Sequence, residues 1–430
     1  MKVSGTRTEA FDGEWLAALS EAATETHGGG RLQELYLERR LEALVRSEPG
    51  GVVAEECRTE GVAARWEYPS RSLLVARTGI SMESIGHALS APGRAALRRR
   101  PRPVPELDPP REWSAWAERV LATYGEAPLD LRLIARRAAV VRSDGWSLVE
   151  TPPLVRVRRT GLRSQGLLAV WGRPEIGTWI RALTAASPAR SWSPPSGTRL
   201  TVLLTEGTSG VLLHELIGHL VESDLAASGM SPLASLSGAE ICPPSVSIRD
   251  DPTRMDLPGG FTCDDEGVAA QPRTLVERGV LTGWLCDRLG ERLLHQPPGR
   301  GRRASWNHPP VARMSNLVME AGSEDPATLE RGLTQGLVVT RVGAATVDAR
   351  SGKVLLRIEA GWEVRHGRRR RALAPCHLVG AVLPLLAQMD PAIGNDPKPE
   401  WRLGWCVKDG LAIPTGSEAP SVLVHGLEVL

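Results

Sequence analysis

The sequence of 430 residues is 42% apolar and 24% charged, with a formal net charge of +2. That length exceeds the usual size of one domain, so we predict two domains. The near-neutral charge argues against a protein that binds nucleic acid or anionic membranes. The start of the chain lacks the apolar core of a signal peptide, and no run of about 18 apolar residues could cross a bilayer. We therefore expect a cytoplasmic protein with no nucleic-acid or membrane partner.

The cysteines are scattered along the chain without a CxxC pair. This spacing argues against a disulfide framework and against a zinc ribbon, because both need closely spaced or regularly paired thiols. Single metal ligands and buried thiols remain as interpretations. The cysteines are Cys57, Cys242, Cys263, Cys286, Cys376 and Cys406.

The first half of the chain mixes helix and strand patterns. Alternation with a period of two predicts strands at 52–67 and within 139–171. A stretch rich in serine and proline at 187–198 predicts the domain boundary, and hence an N-terminal mixed domain of α/β type at 1–195. Apolar residues at spacings of three and four predict helices at 14–26, 31–45, 113–124, 128–138 and 178–186.

Arginine clusters occur at 91–110 together with several prolines. Base-stacking surfaces on nucleic-acid-binding proteins interleave aromatic residues with the basic ones, and none occurs here. We interpret this stretch as a solvated loop.

The second half, 196–430, reads as short β-like runs separated by Gly, Asp and Pro, with helices at 327–336 and 377–389. Ser209 is the predicted N-cap of a central helix and Gly229 its predicted stop. The fold class predicted for the whole chain is α+β, with an antiparallel β-rich C-terminal domain that carries a buried metal-binding helix. The predicted strands lie at 200–205, 260–267, 273–285, 337–347, 354–365 and 421–429.

The central stretch LLHELIGHLVESD places His214, Glu215, His219, Glu222 and Asp224 in one short apolar segment. Two imidazoles are neutral nitrogen ligands for zinc, and a carboxylate beside the first can act as a base on a water at the metal. We favour a functional motif over a chance occurrence of this pattern, because the chemistry of a zinc hydrolase requires these residue types. The segment predicts a zinc hydrolase site.

The two histidines are five residues apart, one more than in the common zincin motif. On a regular α-helix this spacing points their side chains about 140° apart, so they could not share one metal ion. A single π-type turn absorbs the extra residue and returns both to one face. We predict such a distortion at Gly218, where steric resistance is smallest; a regular α-helix across 211–225 would contradict it.

Two imidazoles do not complete a catalytic zinc site, which normally has three protein ligands and an open position. Glu222 and Asp224 follow closely enough to be the third ligand or to orient an imidazole. Cys406, in a turn-like segment near the C-terminus, is the remote candidate. The residues alone leave these alternatives open.

The chain resembles the TldD/PmbA family of zinc metalloproteases, once described as modulators of DNA gyrase. The similarity covers nearly all of 200–430 and continues more weakly back to about residue 130, whereas the region before about 111 diverges and is shortened. The segments that carry it are GVLLHELIGHLVESD, CDDEGV, ERGVLTGWLCDRL, GRGRRASWNHPPVARMSN, VDARSGKV and GWCVKDGLAIPTG.

The resemblance implies a ligand set of His214, His219 and Cys406 for Zn²⁺, with Glu215 as general base. Glu222 and Asp224 would then support the ligands without binding the metal. It also implies a catalytic subunit that forms a homodimer, or a heterodimer with a related non-catalytic subunit. The implied substrate is peptide or unfolded protein held by β-strand addition.

Further residues are candidates for contacting the substrate. Arg302, Arg303 or His308 could stabilise the oxyanion of the transition state, although arginines in a Gly-rich loop are often only solvated. Arg313 and Asn316 match a family segment and are interpreted as binding or framework residues.

Two other functions compete with zinc-dependent peptide hydrolysis. The first is a non-proteolytic peptide-binding subunit whose metal site is degenerate or structural. The ligand set argues against it, whereas Val407 and the thinned glycine run at 343–345, where the chain departs from the family pattern, argue for it. The chain also departs from that pattern at Leu411. The second is a zinc amidase acting on a small molecule. A nucleic-acid-binding module fits least, because the charge is near neutral.

Overall fold

The computed structural model describes residues 31–48, 51–68, 71–90, 107–124, 129–159, 166–184, 192–402 and 404–430. The helix predicted at 14–26 lies outside them, as does most of the loop predicted at 91–110. The described chain is a β-rich α+β structure. None of its helices is both long and apolar enough to span a membrane.

The N-terminal part is one seven-stranded sheet with the order β3-β2-β1-β4-β6-β7, and β5 pairs with β4. Its pairings are all antiparallel among the described strands, so the predicted α/β type is wrong for this part. Helices α1 (Met82–Ser90), α2 (Trp113–Thr123) and α3 (Ile176–Thr184) accompany the sheet. The strands are β1 (Arg31–Glu48), β2 (Gly51–Tyr68), β3 (Arg71–Thr78), β4 (Leu129–Arg142), β5 (Gly145–Glu150), β6 (Leu154–Arg159) and β7 (Gly166–Val170).

The helix predicted at 31–45 is wrong, because these residues form the central strand β1. Leu35 and Leu37 lie on one face of the strand and pack in a buried apolar cluster. The other face carries Glu34 and Glu38, which are 0% and 1% exposed. Because carboxylates occupy a buried face of the strand, the sequence lacks the alternation of apolar and polar residues that is typical of a half-buried strand. The spacing of the leucines therefore resembled that of a helix.

The helix predicted at 128–138 is also wrong, since β4 begins at Leu129. Leu129, Leu131 and Leu133 are all buried on one face, which is the period of a strand. The helices predicted at 113–124 and 178–186 are confirmed by α2 and α3, each within about two residues at its ends.

The C-terminal part contains seventeen strands among the described residues. Its helices are α4 (Thr208–Leu213), α5 (Ser223–Ala227), α6 (Arg288–Leu294), α7 (Pro326–Gly332) and α8 (Val382–Ala387). The strands are β8 (Arg199–Leu204), β9 (Ile248–Asp250), β10 (Arg273–Glu277), β11 (Val280–Leu281), β12 (Gly301–Arg302), β13 (Val311–Ala312), β14 (Asn316–Met319), β15 (Gln335–Asp348), β16 (Lys353–Arg365), β17 (Arg368–Ala372), β18 (Cys376–Ala381), β19 (Met389–Ile393), β20 (Lys398–Pro399), β21 (Trp405–Lys408), β22 (Leu411–Pro414), β23 (Gly416–Ala419) and β24 (Val422–Val429).

Two larger sheets build the C-terminal part. One runs β15-β8-β24-β18-β16-β17 and closes on itself through a β15–β16 pairing, and the other runs β11-β10-β9-β14-β23-β20. Most pairs are antiparallel as predicted, but β8–β15 and β14–β23 are parallel. The helix α4 and the turns after it are buried between these sheets in one apolar cluster. The central stretch is therefore a core element.

Two C-terminal predictions are corrected. Residues 260–267 form no strand; the Asp264 carboxylate instead accepts hydrogen bonds from the backbone N–H groups of Glu266, Val268 and Gly301. Residues 377–389 divide into β18 and α8 rather than forming one helix. The strands predicted at 200–205, 337–347, 354–365 and 421–429 are confirmed.

The N-terminal sheet rests on the C-terminal part through a buried polar layer. Arg65 contacts Glu34 and Glu266 at 2.8 and 2.7 Å, and Arg303 pairs with Glu34 from the C-terminal side. The ring of Trp306 covers Gly61 of β2, where a Cβ atom would lie only 2.1 Å from the ring. These contacts position the N-terminal sheet beside the central stretch. The boundary at residue 195 stays a prediction.

Candidate metal centre

The helix that carries the two histidines is distorted where the spacing requires it. Helix α4 passes into a π-helix at His214–Gly218, followed by a 3₁₀ turn at His219–Val221. The N–H of His219 donates to the carbonyl of His214, five residues back. The imidazole centroids are consequently 4.9 Å apart. The predicted π-type distortion is confirmed.

Gly218 is required for packing rather than for its backbone angles. Its φ of −47° and ψ of −61° are ordinary right-handed helical values. A Cβ atom there would meet Met314 Sδ at 2.7 Å and Leu317 Cδ1 at 2.9 Å, and both side chains are buried. Because Gly218 has no side chain, the side chains of Met314 and Leu317 can pack against the π-turn.

The start of this helix differs from the prediction. Gly207, at a φ of 73°, precedes α4, and no side chain caps the helix. The predicted N-cap, Ser209, lies inside α4 and donates from Oγ to the carbonyl of Pro420 at 2.6 Å. The stop at Gly229 is confirmed: α5 ends two residues earlier and Gly229 has a φ of 69°.

One ligand atom from each of His214, His219 and Cys406 lies within 4.8 Å of the other two. Cys406 Sγ is 3.6 Å from His219 Nε2. A tetrahedral zinc ion with ordinary Zn–N and Zn–S bonds separates a nitrogen ligand from a sulfur ligand by about 3.6 Å. The three residues therefore fit a zinc ion.

The charges in the cluster suit a cation. Burial opposes ionisation of Cys406, but His214 and hydrogen bonds from both imidazoles outweigh it and lower the pKa of the thiol to about 5. Burial also disfavours a charged His219, yet hydrogen bonds to Cys406 and Glu222 raise its pKa to about 11. Cys406 is thus a thiolate at neutral pH, the form that binds metals, and a metal ion can replace the proton that His219 shares with it.

Glu222 orients His219. Its Oε2 lies 3.5 Å from His219 Nδ1, which leaves Nε2 facing Cys406. Burial disfavours ionised Glu222, but His219, Lys408 and Arg313 lower its pKa to about 2. Lys408 Nζ donates to Glu222 at 2.8 Å and to the exposed Asp224 at 2.7 Å.

The hairpin β21–β22 brings Cys406 to the helix. Arg313 Nη2 donates to the carbonyl of Cys406 at 2.7 Å, and its Nη1 donates to the carbonyl of Leu411 at 3.3 Å. Val407, which replaces the family's glycine, has a side chain that is 58% exposed. The exposed Val407 side chain therefore does not crowd the ligand atoms.

Glu215 lies beside the ligands at the wall of a cavity of about 300 Å³. Its side chain is 6% exposed. Burial raises the pKa of this carboxyl, while His214 and His219 act in the opposite direction. Such a carboxylate binds a proton more readily than one in water, as a general base near neutral pH requires. The cavity also contacts His214, Ala345 and Trp405.

The arginines predicted to contact substrate form a buried framework. Arg302 donates to the carbonyls of Met314 and Pro414, and Arg303 donates to the carbonyl of His308. The solvated-loop alternative for these arginines is wrong, because they are 5% and 2% exposed.

The other residues predicted to contact the substrate also belong to this framework. Asn316 donates to the carbonyls of Asp251 and Arg254 and accepts from the N–H of Gly259. His308, Arg313 and Asn316 do not line the described cavity. A direct contact of these residues with substrate stays a prediction.

Sequence reasoning missed two features of this site. Lys408 joins the cysteine hairpin to the helix by donating to two carboxylates. The chain has few lysines, and a compact ammonium fits between two carboxylates, but the sequence does not show which acids lie beside it. Arg156 and Arg158 line the cavity from the N-terminal sheet. No local pattern marks them, because only the tertiary fold brings β6 to the metal site.

Comparisons with known proteins find relatives that are named metalloproteases. The chain is 32% identical over 262 residues to a metalloprotease TldD homolog of Buchnera aphidicola, covering 60% of this chain and 54% of that protein. It is 27% identical over 321 residues to the TldD homolog of Haemophilus influenzae, covering 70% and 66%. The chain thus matches about half to two thirds of the length of these relatives.

The fold has a solved counterpart. A Thermotoga maritima protein assigned to the modulators of DNA gyrase superimposes with a TM-score of 0.71 at 19% identity, covering 97% of this chain and all of that one. A family model described as the PmbA/TldA metallopeptidase C-terminal domain matches residues 196–430, which include all three candidate ligands. The chain therefore belongs to the PmbA/TldD metallopeptidase family.

Proposed function

We propose that this chain is a zinc-dependent peptidase that hydrolyses peptide bonds in unfolded or extended polypeptides. The observation that carries the proposal is the convergence of His214, His219 and Cys406, with His214 and its neighbour Glu215 at the wall of one cavity. Zinc bound there would act as a Lewis acid, which lowers the pKa of a coordinated water and polarises the scissile carbonyl.

Glu215 is the proposed general base. Its buried carboxylate takes a proton from the attacking water and later delivers that proton to the nitrogen of the leaving amine. Glu222 holds His219 in the orientation that turns Nε2 towards Cys406. Lys408 keeps Glu222 ionised for that purpose.

The edge of β15 is the proposed seat of the substrate backbone. Beyond Val339, β15 pairs with β16 alone among the described strands. Ala344 and Ala345 lie in that stretch and line the cavity beside Glu215. An extended peptide added to this edge would receive backbone hydrogen bonds, which are largely independent of its side chains.

Dimer formation is a further proposal, supported by the family resemblance alone. The partner would be a second copy of this chain or a related non-catalytic subunit. The oligomeric state is measured by light scattering on the purified chain, alone and mixed with such a subunit.

Replacing Glu215 with Gln tests the mechanism. The amide keeps the shape of the side chain but cannot accept the proton, so we expect cleavage of an unstructured peptide to fall about a thousandfold while zinc content is unchanged. Glu320→Gln, at an exposed position outside the site, is the control and should cleave at the wild-type rate. Wild-type cleavage by Glu215→Gln would show that this base is not used.

A further inference from the structure

The N-terminal sheet contributes two arginines to the cavity. Arg156 and Arg158 are two residues apart on β6, so their side chains share one face of the strand. Both line the cavity that also contacts His214 and Glu215. Arg402, from the C-terminal part, lines it as well.

These guanidinium groups lack carboxylate partners. In the part of the chain that the structure describes, no ion pair is formed by Arg156, Arg158 or Arg402, although ion pairs are common elsewhere on the same sheet. The Arg402 guanidinium donates to the carbonyl of Thr340 at 3.4 Å and lies over the ring of Trp401, while its backbone N–H donates to the Glu400 carboxylate at 2.6 Å. Arg156 lies over the ring of Trp405, 5.9 Å from its centroid. Their charge is left available to a bound molecule.

Positive charge outweighs negative charge around Arg156. Burial lowers the pKa of Arg156, and the neighbouring Arg158 and Arg132 lower it further, against the smaller opposing effects of Asp130 and Glu42. A negatively charged ligand would relieve both the burial cost and the repulsion between like charges. Because Arg156 is half-buried, its charge also attracts such a ligand more strongly than it would on an open surface.

Two carboxylates also line the cavity: Glu215, which the proposed reaction uses, and Glu400. Glu400 accepts a hydrogen bond from the backbone N–H of Arg402 at 2.6 Å, and burial raises the pKa of its carboxyl against the opposing charge of Arg402. In addition, Trp405 Nε1 is buried at the cavity with no acceptor among the described residues. The cavity therefore presents hydrogen-bond donors and positive charge beside the candidate metal ligands.

We propose that Arg156 and Arg158, assisted by Arg402, bind a carboxylate of the substrate close to the scissile bond, so that the peptidase selects peptides that present a carboxylate there. A guanidinium matches a carboxylate with two parallel hydrogen bonds, and a partly enclosed cavity strengthens such a contact. This inference rests on the proposed function and names its substrate class. The carboxylate comes from an Asp or Glu side chain, or from the C-terminus of the peptide.

Peptides that differ in one charge test the subsite. An unstructured peptide with a mapped cleavage site is made with Glu, Gln or Lys at each position flanking that site, and with a free or an amidated C-terminus. Binding is measured by fluorescence anisotropy on zinc-loaded Glu215→Gln protein, and kcat/KM on the wild type. We expect a Glu peptide to bind about tenfold more tightly than its Gln counterpart, and the Lys peptide to bind most weakly.

Variants of one strand give the matched comparison. In the Glu215→Gln background, Arg156→Gln with Arg158→Gln should reduce the Glu-to-Gln affinity ratio to about one. Arg159→Gln removes a charge from the next position of β6, which does not line the cavity, and should leave the ratio unchanged. If peptides with a free C-terminus bind more tightly than their amidated counterparts while Glu and Gln peptides bind equally, the terminal carboxylate is the bound group.

The outcomes separate this inference from the proposed function. Cleavage by the wild type, with equal affinities for Glu and Gln peptides and for free and amidated C-termini, would overturn the subsite and leave the peptidase standing. A Glu preference that survives the double substitution would also overturn it. Preferential binding without cleavage would support the subsite and contradict the peptidase, and no binding of any peptide would contradict both.

Discussion

At the scale of single residues, the site combines ligands that are remote in sequence. His219 and Cys406 are 187 positions apart, yet Nε2 and Sγ lie 3.6 Å from each other. The residue types of the central stretch predicted the imidazoles and the base, because this chemistry requires them. The assignment of Cys406 as the third ligand rested only on the family resemblance. Lys408 was not predicted, because a lysine shows its partners only in the folded chain.

Lys408 is expected to support both stability and metal binding. Lys408→Met leaves the buried Glu222 without its closest cation. We expect a loss of about 3 kcal/mol in the free energy of unfolding and about tenfold in zinc affinity. Chemical denaturation and zinc-chelator competition measure the two effects.

A surface pair provides the control for this substitution. Lys398 pairs with Glu206, but its side chain is 63% exposed. Lys398→Met should therefore change the free energy of unfolding by less than about 1 kcal/mol. Equal effects of the two substitutions would contradict the role given to Lys408.

At the scale of elements, local geometry was predictable and buried charge was not. The five-residue spacing required a π-turn, and the structure has one. Strand β1 was mistaken for a helix because Glu34 and Glu38 occupy a buried face. Their arginine partners come from other strands and from the C-terminal part, so no local pattern could reveal that these carboxylates are buried.

The π-turn leaves no room for a side chain at Gly218. A methyl group there would crowd Met314 and Leu317, so Gly218→Ala should lower the free energy of unfolding by about 1–3 kcal/mol. It should also weaken zinc binding, because His219 is the next residue. Denaturation and metal affinity are the readouts.

Gly177 in α3 is the matched control for that substitution. It has open space around it, so Gly177→Ala should stabilise the protein by about 0.4–1 kcal/mol by restricting the unfolded chain. A neutral or stabilising Gly218→Ala would show that the π-turn can move away from the strand below it.

At the scale of the whole molecule, the two parts meet through buried acids and arginines. Arg65 joins Glu34 to Glu266, and Arg136 pairs with Asp265. Sequence periodicity could not predict this layer or the order of the sheets, because both depend on contacts between distant segments. The overall α+β class was predictable, since it needs only the types of the elements.

This layer gives stability a pH dependence. Burial, and then the charge of Glu34, raise the pKa of Glu266 from 4.5 to about 7, against the opposing effect of Arg65. Between these values the folded protein keeps a proton that the unfolded chain has lost, so stability falls as pH rises through that window, by at most about 1.4 kcal/mol for each pH unit. Glu266→Gln should flatten this dependence in denaturation series from pH 4.5 to 7. Parallel curves for the two proteins would contradict it.

The central claim is that Cys406 completes a zinc site with His214 and His219. Metal content per chain, measured by mass spectrometry on proteins purified with zinc, tests it most directly. We expect about one zinc in the wild type, full retention in Cys286→Ala, whose buried thiol is not part of the ligand cluster, and loss in Cys406→Ala. Full zinc content in Cys406→Ala would contradict it.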